Sequence, residues 1–189
     1  YATLLAGGSY GLTDTIVSDT ASRVLAIGRF APVTAARRAA YIVSNDGGVS
    51  FGPTVTGLPG SALTLTAYSG AYLGNQIMLV CVTDTTVTVG NAASLRRSTD
   101  NGDTWGTATV PGIAARVVIT LREACVVGAM GSGNAALAGG STTGTDRAQV
   151  WSSADSGATW TRRTISNPGG TASQGATAIC SPSADYVIA

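Results

Sequence analysis

The side chains available for chemistry are mostly carboxylates, arginines and hydroxyls, because histidine and lysine are both missing from the 189 residues. Without histidine there is no imidazole base and no imidazole metal ligand. Without lysine there is no Schiff-base amine and no phosphate-loop ammonium. Glu123 is the single glutamate, and outside the repeated motif described below the aspartates are Asp14, Asp19, Asp84, Asp103, Asp146 and Asp185. A glycosidase needs two carboxylates facing each other across the scissile bond, so any such pair must come from this short set. Asp100-Asn101-Gly102-Asp103 looks like the start of a calcium loop but lacks the later bidentate glutamate and enough oxygen ligands. Cys81, Cys125 and Cys180 stand 44 and 55 residues apart with no CxxC pair, which argues against zinc and iron–sulfur sites. The cysteines read as small buried hydrophobes, with one internal disulfide left open. No metal and no cofactor are expected. A net charge of +1 gives no electrostatic case for nucleic acid.

The elements that hold these residues are written in a repeat. Three segments align without gaps: Ser44-Asn45-Asp46-Gly47-Gly48-Val49-Ser50-Phe51, Ser98-Thr99-Asp100-Asn101-Gly102-Asp103-Thr104-Trp105 and Ser153-Ala154-Asp155-Ser156-Gly157-Ala158-Thr159-Trp160. All fit Ser-x-Asp-x-Gly-x-(Ser/Thr)-(Trp/Phe), and their aspartates are 54 and 55 residues apart. The physics is that of a hairpin. The carboxylate accepts local backbone N–H groups, the glycine permits positive φ, and the aromatic residue opens the next strand. The structural residues are therefore Ser44, Asp46, Gly48, Ser50 and Phe51, then Ser98, Asp100, Gly102, Thr104 and Trp105, then Ser153, Asp155, Gly157, Thr159 and Trp160.

These residues resemble the Asp-box, or BNR repeat, of sialidase-like β-propellers. The resemblance implies an all-β propeller of four-stranded antiparallel blades, each box linking the third and fourth strands at the rim, away from any active site. At about 54.5 residues per blade, roughly 3.5 blades are present, against about 4–8 in a whole propeller. One propeller domain is expected: residues 1–12 as the end of a preceding blade or a lead-in strand, blades at 13–60, 61–114 and 115–170, and the truncated start of a fourth at 171–189. Expected strands are 13–18, 23–29, 39–44 and 50–56; 62–68, 76–83, 92–98 and 104–110; 116–121, 124–130, 147–153 and 159–165; and a final pair at 175–181 and 185–189. The apolar final run and the absence of an initiator methionine suggest a piece of a longer chain, and no signal peptide is visible. No apolar run reaches the ~18–20 residues of a membrane-spanning helix. A β-sandwich leaves the repeat unexplained, and a solenoid calls for a shorter period.

In such a blade the boxes mark one face. The resemblance implies ligand sites on the other, built from loops 30–38, 84–91 and 131–146 and the interblade turns. Candidate binding residues are Arg37, Arg38, Asp84, Asn134 and Asp146, with solvated loop charges as the plain alternative. Arg96-Arg97 and Arg162-Arg163 should each split across a strand, one side chain in water and one packed along its stem; an anionic glycan is a minority reading. Trp151 reads as core rather than as an exposed sugar platform.

The resemblance also raises sialidase chemistry, which needs an arginine cluster, an acid/base and a tyrosine nucleophile activated by glutamate. The family's Phe/Tyr-Arg-Ile-Pro signature is missing; Arg29-Phe30-Ala31-Pro32 has related residues in another order. Glu123 falls on the box face of the expected layout. The reading is a recognition or scaffold propeller on an extracellular or virion surface, such as part of a bacteriophage tail or fibre protein. A glycan or cell-surface receptor, or other subunits of a larger assembly, would be its partners; neither nucleic acid nor membrane insertion is expected. The alternative is a secreted sialidase-like glycoside hydrolase whose catalytic residues lie largely outside this segment.

Overall fold

The computed structural model describes residues 8–20, 22–32, 38–52, 56–58, 65–84, 93–111, 119–127, 129–141, 148–163, 180–183 and 186–188. Strands β1 (Gly8–Val17), β2 (Val24–Pro32), β3 (Arg38–Ser44) and β4 (Thr56–Gly57) form the first sheet. The second holds β5 (Leu65–Gly74), β6 (Ile77–Asp84), β7 (Ala93–Ser98) and β8 (Gly106–Ala108). The third holds β9 (Ile119–Val126), β10 (Ala135–Ser141), β11 (Ala148–Ser153) and β12 (Thr161–Arg163), and β13 (Cys180–Ser183) pairs with β14 (Tyr186–Ile188). Each four-stranded sheet is an antiparallel meander in chain order. The described residues contain no helix, and hence none long and apolar enough to cross a membrane.

The sheets stack face to face, and β6 shows how the sequence dictates this. Met78, Val80 and Val82 enter the core shared with the first sheet, beside Ile16, Leu25 and Ile27. Leu79 and Cys81 enter the core shared with the third, beside Leu137 and Trp151. A strand covered on both faces has no polar side, hence the unbroken apolar run 77–82. Each fully buried Leu or Ile contributes about 1.5–3 kcal/mol relative to exposure, so these two interfaces hold the stack together.

The first two sheets keep the expected strand order, but β1 starts at Gly8, inside the expected lead-in, β5 runs on to Gly74 rather than ending at 68, and both fourth strands are much shorter than expected. The turn between β5 and β6 is Asn75-Gln76, with φ of 52° and 65°, and Gly74 pairs with Ile77 across it. Two left-handed residues match the right-handed twist of a hairpin.

The third sheet corrects the sequence reading. Instead of a strand at 124–130 and a long loop at 131–146, β9 runs on to Val126, a turn takes in 129–134, and the second strand begins at Ala135. Glu123 lies inside β9, paired with Ala138, not in a turn. The glycines of the segment had suggested a single loop, but they do different work. Gly131 and Gly133 adopt positive φ in the turn, whereas Gly139 is buried within β10. Ala135, Ala136, Leu137 and Ala138 are at most 1% exposed, and that burial makes this stretch a strand despite its low β-propensity.

Candidate functional site

The three repeated turns fold alike, atom for atom. In the second, the Ser98 hydroxyl donates to Asp100 Oδ1 at 2.7 Å and accepts the Gly102 N–H at 2.8 Å. The Thr104 N–H donates to Asp100 Oδ1 at 2.8 Å and its hydroxyl to Oδ2 at 2.5 Å. The first turn repeats this through Ser44, Asp46, Gly48 and Ser50, the third through Ser153, Asp155, Gly157 and Thr159. Trp105 and Trp160 return their ring N–H to the glycine carbonyl of their own turn, at 3.1 and 3.0 Å.

The residue between the aspartate and the glycine has a role that its variable identity concealed. Gly47, Asn101 and Ser156 all have positive φ, at 75°, 57° and 57°. Each donates its N–H to the first turn of its own sheet: to the carbonyls of Ser22 at 2.9 Å, Gln76 at 2.9 Å and Gly133 at 2.7 Å. The motif thus clips the two turns at one end of a sheet together. Gly and Asn visit the left-handed region readily, so two of the three residues carry a legible signal.

These hydrogen bonds fix the charge of the motif carboxylates. Donation from the Ser44 hydroxyl, then from Ser50, holds Asp46 at about 2. Donation from Thr159, then Ser153, holds Asp155 at about 2. Burial pushes Asp100 upward, but the Thr104 and Ser98 hydrogen bonds outweigh it and leave this carboxyl below its ordinary value. Carboxylates kept ionised in this way are poor proton donors, and their lone pairs are spent on the turn.

Beside the third turn lies an open cleft of about 330 Å³ lined by Asn134, Ser152, Ser153, Ala154, Asp155, Thr159, Thr161 and Arg163. Arg163 Nε donates to the Ser152 hydroxyl at 2.7 Å and forms one wall. The first turn has a counterpart of about 410 Å³ against Asn45, Asp46, Ser50 and Phe51. Hydroxyls, an amide, a carboxylate and a guanidinium face the first cleft, a set that can exchange hydrogen bonds with a polyol.

The candidate residues do not gather in one place. Asn134 closes the turn before β10 and therefore sits at the repeated-turn end, in the cleft, rather than at the opposite end; the shift of the second strand to Ala135 moves it. Arg38 opens β3 and Asp84 closes β6, which puts their backbones at the opposite end. Arg37 and Asp146 lie outside the described residues. The arginine pairs divide differently from expectation. Arg96 and Arg97 do point to opposite faces, but neither into open water: Arg96 is 4% exposed, and Arg97 Nε donates to the Ser156 carbonyl of the third sheet at 2.7 Å. Arg162 and Arg163 are both exposed. Trp151 is fully buried and donates to the Pro111 carbonyl at 2.9 Å, so it is core. Cys81 is a buried thiol and Cys125 a half-buried one. Two contacts between the first and second sheets escaped the sequence reading. Asp14 accepts the Gly70 N–H at 2.9 Å, and Arg23 pairs with Asp103 at 2.5 Å.

No protein-family model and no curated protein matches this sequence. Among solved structures, YCF48 bound to a D1 peptide superposes with a TM-score of 0.53 at 17% identity, over 82% of this chain and 41% of that one. NanB sialidase from Streptococcus pneumoniae gives 0.49 at 15% identity, over 76% and 21%. The leech intramolecular trans-sialidase gives 0.47 at 19% identity, over 72% and 20%. The chain spans less than half the length of each of these structures. The chain has an all-β propeller fold, its three meander sheets the blades of a partial propeller.

Proposed function

We propose that this segment is a recognition scaffold that binds glycan without turning it over, on an extracellular or virion-surface protein such as a bacteriophage tail or fibre. The repeated turns are, on this reading, Asp-boxes of the sialidase-like kind. The observation that supports it is the cleft beside the third turn, where Asn134, Ser152, Thr159, Thr161 and Arg163 offer donors and acceptors around about 330 Å³. Sugar rings present a dense set of hydroxyls, and a few convergent polar groups suffice to orient them. Arg38 and Asp84 remain candidates for a second contact surface at the opposite end of the blades.

The test is an array of neutral and acidic oligosaccharides probed with the chain and with an Asn134→Ala/Thr161→Ala variant, alongside a panel of fluorogenic glycosides. Retention of a glycan class that the double variant loses, with no glycoside released, is expected. Release of the fluorophore, or retention unaffected by the double substitution, would overturn the proposal.

A further inference from the structure

Arg96 occupies a place that its repeats fill with apolar side chains. It stands two residues before the motif serine Ser98, as Ile42 stands before Ser44 and Trp151 before Ser153. Those two residues are 3% and 0% exposed, and Arg96 is 4% exposed. It pairs directly with Val80 in β6, and directly paired residues share a sheet face. Val80 belongs to the core between the first and second blades, so the Arg96 side chain enters that seam.

The guanidinium is under-satisfied there. Nη1 donates to the Thr107 hydroxyl at 2.5 Å. Nε is buried with no acceptor among the described residues, and the one ion pair among them is Arg23 with Asp103. An arginine does not shed its proton to escape such a site, and an uncompensated buried cation is among the costliest features a fold can carry. The edge formed by Nε and Nη2 is the one that grips both oxygens of a carboxylate in parallel hydrogen bonds. Thr107, which holds the opposite side of the group, is itself exposed on β8, so the guanidinium lies at the outer margin of the seam.

We propose that Arg96, oriented by Thr107, is a binding site for a carboxylate group that enters the seam between the first two blades from the β8 margin. The site is separate from the cleft beside the third turn and stands whether or not that cleft takes glycan. The desolvation that lowers the pKa of Arg96 is the cost that a bound anion would relieve.

The probes are acetate, glucuronate and, as a neutral isostere, acetamide, added to the 189-residue chain in carboxylate-free buffer at matched ionic strength. Acetate at about five times its Kd should raise the Tm by about 2–4 °C, and acetamide should not. A response to acetate alone marks a bare carboxylate as the ligand, and a response to glucuronate as well marks a sugar acid; either supports the site. Arg96→Met, which places an apolar chain where Ile42 and Trp151 already have them, should lose the response. Thr107→Val should weaken it several-fold. No response in the unsubstituted chain, or an equal one in Arg96→Met, would overturn the proposal. Should Arg96→Met fail to fold, the Nε–H resonance of Arg96 in the unsubstituted chain decides. It should move with acetate and hold still with acetamide, and a resonance indifferent to acetate refutes the site.

Discussion

Gly157 of the third turn packs against Leu79 of the preceding blade so closely that a Cβ would lie 2.9 Å from Leu79 Cδ2. Gly102 of the second turn meets Leu25 in the same way, at 2.6 Å. Gly102 and Gly157 are therefore each both a left-handed residue of the turn and the flat spot on which the neighbouring blade rests. At Gly48 the one contact among the described residues is Val24 Cγ2 at an ordinary 3.9 Å, which leaves the backbone requirement. Gly48→Ala should cost about 1–2 kcal/mol, the strain of a left-handed alanine. Gly102→Ala and Gly157→Ala add overpacking of about 1–3 kcal/mol. Urea unfolding should show Gly48→Ala as the mildest of the three variants, and equal losses would show that the interblade contact carries no weight.

The motif carboxylates set the acid limit of the fold. A carboxyl held below its unfolded value stabilises the native state fully above that unfolded value, and the contribution disappears as pH falls through the folded value. For Asp46 and Asp155, held at about 2, the loss should run from about pH 4 down to about pH 2. Asp100 shifts in the same direction. Tm followed by circular dichroism should fall steeply across this window, and an Asp46→Asn/Asp155→Asn variant should show a shallower fall from a lower starting point. A flat profile below pH 4 would remove the motif carboxylates from the stability of the protein.

The ion pair of Arg23 with Asp103 crosses the same interface as Gly102 and Leu25, but it should matter far less. Its side chains are 19% and 65% exposed, and such pairs contribute about 0–1 kcal/mol once solvent screening and side-chain entropy are counted. Asp103→Asn should lower stability by less than about 1 kcal/mol, with the difference fading in about 1 M salt. A larger, salt-insensitive loss would mean that the carboxylate also orders the second turn.

What was legible in the sequence was whatever repeats. Ser98, Asp100, Gly102 and Thr104 announce a hairpin because each supplies a donor, an acceptor or a backbone freedom that the turn needs, and three copies fix the period. The run 77–82 announces a strand buried on both faces. The second strand of the third blade was hidden because Ala135–Ser141 is built of alanine, glycine, leucine and serine, a composition of low β-propensity that only burial makes a strand. Asn134 was misplaced for that reason alone. Arg96 was hidden for another: the pattern gives its face, but only packing decides whether that face meets water or a neighbouring blade.

Trp151 tests the seam between the second and third blades. Its ring is fully buried beside Leu79, Leu95 and Leu137, and its Nε1–H reaches the Pro111 carbonyl in the segment that leads into the third blade. Trp151→Phe keeps most of the apolar contact but removes the Nε1–H donor and leaves the Pro111 carbonyl without it; Pro111 is exposed, so water can satisfy that carbonyl. The loss should be small, about 0.5–1.5 kcal/mol, plus what the smaller ring leaves unfilled. Trp151→Ala removes the ring and should cost about 3–5 kcal/mol. Urea unfolding separates the two cases. A cost for phenylalanine as great as that for alanine would mean that the hydrogen bond to Pro111, rather than the packing, holds the third blade in place.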